Sequence, residues 1–183
     1  MSVIIGLIII IVIFVLIFIS MYNSLIQLRN QVKNAWSQID VQLKRRYDLI
    51  PNLLETVKGY AAHEKETFQN VVEARSKAMS ANSIQEKSSA ENAFSGAISK
   101  FLLVVENYPE LKANENFLQL QAQLEGTENR ISVERKKFNE TVQGYNTTIR
   151  QFPGNIIAGF FGFVQKEYFK AMAGAENAPK VEF

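Results

Sequence analysis

From Val3 to Ile19 the chain has 17 consecutive residues drawn only from Ile, Val, Leu, Phe and a single Gly6, and it meets no charged side chain before Arg29. In hydrocarbon the backbone has no water to bond, so such a run must satisfy itself as a helix, although its β-branched content would favour strand in water. At roughly −0.3 to −0.6 kcal/mol each, its sixteen large apolar residues favour insertion by about 5 to 10 kcal/mol. A cleaved signal peptide would need a positive n-region, a shorter apolar stretch and a small-residue cleavage site. Met1 and Ser2 carry no side-chain charge and Ile19-Ser20-Met21 makes a poor site, so a retained transmembrane anchor is expected over residues 1–22, with residues 3–19 in the lipid bilayer. Arg29 and Lys33 are the first charges beyond the run, and the positive-inside rule then places the N-terminus outside and the domain in the cytoplasm.

The remaining chain has room for one ordinary domain and not for two. We expect it over residues 23–171, with residues 172–183 as a C-terminal tail. Twenty Lys plus Arg against 18 Asp plus Glu leave no basic stripe of the kind nucleic acid requires, so none is expected as a partner. The absence of Cys removes disulfides, thiolate nucleophiles, Cys-ligated metals and lipid attachment at Cys.

Beyond the anchor, Leu25, Leu28, Val32, Ala35, Ile39, Leu43, then Ile50, Leu54, Val57 and Ala61 recur in steps of three and four, interrupted around Tyr47. That is the period of an amphipathic helix, and no Gly or Pro separates Tyr22 from Arg46, so the membrane helix is expected to continue into it. Pro51 should kink that helix or break it after Ile50. A short helix is expected over 63–79 with Phe68, Val72 and Met79 inward, and Ser80 to Ser89 reads as a polar connection. Ser88 and Glu91 have capping-box spacing ahead of Phe94, Ala97, Phe101, Val104 and Tyr108, and Tyr108-Pro109 should end this third helix. Asn114 is a plausible N-cap for the longest soluble pattern, Phe117 to Phe152, interrupted between Glu125 and Arg135. The expected fold class is therefore all-α: an N-terminal transmembrane helix continuing into an antiparallel helical bundle. The segment Ile156 to Phe169 is too apolar to lie free in water, and a final helix closing the core is its expected form. Its other reading is an exposed partner-binding or membrane-dipping surface.

The segment Asn34-Ala-Trp-Ser-Gln-Ile-Asp-Val-Gln-Leu-Lys-Arg-Arg-Tyr-Asp-Leu-Ile-Pro-Asn-Leu53, running on through Glu55-Thr-Val-Lys-Gly-Tyr-Ala-Ala-His-Glu64, strongly resembles the LemA family of bacterial membrane proteins. Thr127-Glu-Asn-Arg-Ile131, Tyr145-Asn146, Phe152-Pro153 and the ending Pro179-Lys-Val-Glu-Phe183 extend the resemblance from about Tyr22 to the end. It implies a short outside N-terminus, one spanning helix and a helical-bundle domain. It supplies no catalytic residues.

Candidate chemistry is sparse. His63 is the lone histidine, beside Glu64 and Glu66, but position 67 is Thr where a zincin would need a second histidine, so a solvated or capping role is expected. No Ser lies in a Gly-x-Ser-x-Gly elbow and no Gly-rich phosphate loop occurs. Lys44-Arg45-Arg46 could meet anionic headgroups, yet a continuous helix from Ser20 would place it about 35 Å from the membrane edge, beyond the reach of surface charge. Pairing with Glu125, Glu128 or Glu134 within the domain is the better expectation. The sequons at Asn139 and Asn146 lie inside a helical pattern and read as accidental. No catalytic, cofactor-binding or metal site is expected, and the chain reads as a non-catalytic scaffold or adaptor for other envelope proteins. The alternatives are a domain that oligomerises or acts on lipid and, behind it, a membrane-bound enzyme.

Overall fold

The computed structural model describes residues 1–61 and 63–170; the expected tail at 172–183 lies outside the described residues. Among the described residues there is no strand, and the chain runs through six helices: α1 (Ser2–Lys58), α2 (Lys65–Ser80), α3 (Ile84–Val105), α4 (Pro109–Lys112), α5 (Glu115–Arg150) and α6 (Gly154–Phe161). The anchor and the first soluble helix are one uninterrupted α1, which passes through Pro51 without breaking.

The buried side chains of α1 explain how one helix serves so long a seam. Leu25, Val32, Ile39, Arg46 and Leu53 are buried at intervals of seven, reinforced by Leu43, Ile50 and Val57. Phe117, Leu124, Ile131, Phe138 and Tyr145 do the same along α5. Seven-residue spacing keeps an apolar stripe on one side of a helix over many turns, which suits long helices packed side by side.

The chain divides into two compact units. One comprises residues 1–38 and 136–167, and the other residues 39–135 together with the segment beginning at Tyr168. In the first, the apolar side chains from Val3 to Ile19 are all exposed, whereas Leu25, Val32, Phe138, Val142, Tyr145, Ile149 and Ile157 are buried. Trp36 meets Phe138 edge-on at 5.5 Å between ring centroids. In the second unit α2 and α3 form a helical hairpin across residues 81–83, with Phe68 and Phe101 rings 5.9 Å apart. Asn114 caps α5, its Oδ1 accepting from the Phe117 amide at 3.1 Å.

Several local expectations are corrected. The capping box of α3 is Ser83 with Glu86, not Ser88 with Glu91: Ser83 Oγ accepts from the Glu86 amide, and the Glu86 carboxylate accepts from the Ser83 amide. The polar stretch up to Ser89 is therefore largely helical, and Ser88 and Glu91 are buried in the body of α3. In α2 the inward residues are Val71 and Ala78, while Val72 and Met79 face outward, one residue out of register with the expectation. In α3 Ile98 and Val105 are buried beside Phe94 and Phe101, and the helix ends at Val105, before Tyr108. The final helix is only the eight residues of α6, closed by Gly162 in the left-handed conformation at φ 70, and the chain is non-helical from Phe163 to Lys170.

Candidate functional site

The described chain holds two concentrations of unusual chemistry, one in each unit. The first is a charged cluster in the interior of the second unit. Seven-residue spacing puts Arg46 on the buried seam of α1, and Glu91 sits seven residues before Ile98 and fourteen before Val105 on α3. Arg46 is 2% exposed, Tyr47 5% and Glu91 0%. The Arg46 guanidinium is engaged from several sides, although its Nε has no hydrogen-bond partner among the described residues. Nη2 donates to Ser95 Oγ at 2.8 Å, Nη1 lies 2.7 Å from Glu128 Oε2 and 3.7 Å from Glu91 Oε2, and its carbon stands 4.9 Å over the Phe94 ring. The Tyr47 hydroxyl donates to Glu91 Oε1. Around them, Arg75 Nε donates to the Tyr47 carbonyl at 2.8 Å and Lys87 Nζ to the Ala78 carbonyl at 2.9 Å.

Burial dominates the protonation of the cluster. It raises Glu91 above the ordinary carboxylate range, overcoming the opposing pull of the Tyr47 hydrogen bond and the Arg46 charge. Tyr47 is raised as well, first by burial and then by its bond to Glu91. Arg135 is lowered by burial, against the attraction of Glu128 and Glu91. Perturbed groups of this kind often mark catalytic centres, but such centres also need a cavity that admits a substrate. Two grooves of this unit lie elsewhere. One of about 640 Å³ is lined by Asn70, Glu73, Lys77, Glu86 and Ser89, and another of about 600 Å³ by Pro51, Leu54, Phe68 and Val72. Neither includes Arg46, Tyr47 or Glu91.

The expected pairing of the basic triplet is found at one residue: Arg46 meets Glu128, while Lys44 and Arg45 are exposed. Sequence reasoning missed Glu91 and Tyr47. The available signal was the interval of seven from Ile39 through Arg46 to Leu53, which reads as an interruption only if a charge is assumed to face water. His63 is exposed in the turn after α1, and no group of three His, Asp or Glu side chains that could hold a metal ion occurs among the described residues.

The second concentration is the aromatic segment of the first unit. Phe152, Ile156, Phe160, Phe161 and Val164 are exposed, so α6 buries only Gly154, Ile157 and Ala158 and does not serve solely as a core-closing helix. Its position is fixed from α5. The Tyr145 hydroxyl donates to the Val164 carbonyl at 3.0 Å, and the Asn146 side-chain amide donates to the Lys166 carbonyl and accepts from the Lys166 amide, both at 2.8 Å. Asn146 thus has a structural task that accounts for its burial inside a sequon pattern.

The LemA family profile matches residues 35–183. This chain belongs to the LemA family. Among curated relatives, it is 24% identical over 159 residues to the magnetosome protein MamQ of Magnetospirillum gryphiswaldense, a match covering 73% of this chain and 58% of that protein. It is 24% identical over 160 residues to MamQ 1 of Paramagnetospirillum magneticum, covering 73% and 59%. To protein LemA of Metamycoplasma hominis it is 28% identical over 138 residues, covering 73% and 62%. The LemA-family chain therefore spans about three-fifths of the length of these relatives. Family, helical fold and an N-terminal helix long and apolar enough to cross a bilayer together describe a membrane-associated helical protein.

Proposed function

We propose that this chain is a non-catalytic, membrane-anchored helical module that scaffolds or adapts other cell-envelope proteins, with its domain on the cytoplasmic side and a short N-terminus outside. The observation that supports this reading is the continuity of α1. A single helix carries 17 lipid-compatible residues and then, without a break, the buried residues of the folded domain. An unbroken helix holds a domain at a defined distance from the bilayer, which benefits a docking platform and offers nothing to a hydrolase or transferase working on soluble substrates. The burial of Arg46, Tyr47 and Glu91 supports the same reading, because neither groove described above includes them. None of the relatives above is named for a reaction.

The test is affinity capture of the tagged full-length chain from gently solubilised membranes, beside the same tag fused to residues 1–22 alone. A reproducible set of envelope proteins recovered only by the full chain is the expected result. Recovery of the same proteins with both baits, or of none, would remove the scaffold reading. One observation favours a lipid-acting role beside it, and that is the exposed apolar face of α6.

A further inference from the structure

We propose that α6, with Phe152 before it, is a second membrane contact: an interfacial element that seats its aromatic face among the lipid headgroups and upper acyl chains beside the end of the anchor. The inference rests on reading α1 as a spanning helix and goes beyond the scaffold role. From Gln151 to Gln165 the chain has fifteen residues without a charge, bounded by Arg150 and Lys166. Ile156 and Phe160 lie one turn apart on α6 and are 59% and 79% exposed, and Phe152, in the bend before Pro153, is 79% exposed. Left in water, that face would be a contiguous apolar patch of the kind that marks an interaction surface.

What covers the patch follows from its neighbours on α1. The Phe161 ring lies 5.9 Å from that of Phe18 and 4.6 Å from that of Tyr22, and Phe163 lies 6.1 Å from Tyr22. Phe18 belongs to the last turn of the apolar run, and Tyr22 stands one turn beyond it, where aromatic side chains favour the membrane boundary. A ring packed against Phe18 is therefore at the depth of lipid. The Phe160 ring is 5.1 Å from that of Phe161, so it shares that depth and faces outward. Charge is arranged to match: Arg29 stands 5.6 Å over the Phe163 ring, and Arg150 is exposed at the end of α5, where cations meet phosphate headgroups. An apolar face flanked by cations and continuous with a spanning helix fits a phospholipid interface. A protein occupant would have to displace lipid from the side of Phe18 to reach the same rings.

The test uses the full-length chain in vesicles of phosphatidylcholine and phosphatidylglycerol, with the phosphatidylcholine brominated high on its acyl chains. Trp36 is the only tryptophan and sits well beyond the apolar run, so the parent protein gives the background. Phe160→Trp is expected to be quenched severalfold more strongly by the brominated lipid than that background, and to be shielded from aqueous acrylamide. If the new tryptophan is open to acrylamide and untouched by bromine, the face lies in water and the proposal is overturned. Shielding from both quenchers would mean that a second copy or another protein covers it, which overturns it too. Ile9→Trp, measured in parallel, separates this from failure of the anchor: quenching at position 9 without quenching at 160 removes the α6 contact alone, and no quenching at 9 removes both.

Discussion

Arg46 is held by Ser95, Glu128 and Glu91 at once, and the consequences of removing it can be sized. Glu128 is 45% exposed and can return to water, so the cost comes mainly from the buried partners Ser95 and Glu91 and from the space the side chain leaves, about 1 to 3 kcal/mol. Arg46→Ala should therefore lower the melting temperature of the detergent-solubilised chain by several degrees, and an unchanged melt would show that the cluster carries no stability. Glu91 makes a prediction with a pH sign. Burial raises its pKa in the folded state, so the folded protein holds its proton more tightly than the unfolded chain does. The stability contributed in this way is complete below the ordinary carboxylate pKa and is lost as pH rises through the raised value. Glu91→Gln cannot titrate, so relative to the parent its melting temperature should climb as pH rises across that window. A constant difference at every pH would exclude the linkage. At Gly154 the constraint is steric: a Cβ there would stand 2.3 Å from the Thr148 carbonyl oxygen. Forcing that contact costs about 1 to 3 kcal/mol, so Gly154→Ala should be measurably less stable in the same melt.

The element scale shows where sequence reading succeeds and where it fails. Helix periodicity made the course of α1 and α5 legible, because long amphipathic runs repeat the same signal many times and Asn114 marks the start of α5 chemically. Yet α1 continues past Pro51 to Lys58 where a kink or a break after Ile50 was expected, and α5 runs without the expected interruption to end at Arg150. The short elements carried too few turns to fix their phase, and α2 came out one residue out of register, with Val71 buried where Val72 was expected. At the start of α3 two Ser-x-x-Glu patterns compete, Ser83 with Glu86 and Ser88 with Glu91. Local spacing cannot choose between them; the choice is made by the burial of Glu91 against Tyr47, a contact 44 residues away. Ser83→Ala removes the cap that forms and should cost roughly 1 kcal/mol in the melt, whereas Ser88→Ala should leave the helix start intact. The aromatic segment after Pro153 was legible as apolar, with a core-closing helix as its expected form and an exposed surface as its other reading; hydropathy could not choose between them, since it records how greasy a residue is and not which phase receives it.

At the scale of the whole molecule, the proposed orientation is open to direct test, because the chain has no cysteine of its own. Ser2→Cys should react with a membrane-impermeant maleimide in intact cells, and Ser89→Cys, exposed on α3, only after permeabilisation; the opposite pattern would invert the topology. The division of the chain between its two compact units carries a further consequence. Neither unit is one continuous stretch: both α1 and α5 begin in one and finish in the other. No single stop codon or protease cut can release one unit whole, and neither can be transplanted by a simple gene fusion. A truncation that removes the anchor and runs on to Gln38 would strip the first unit of its entire α1 share and leave residues 136–167 without the helix they share that unit with.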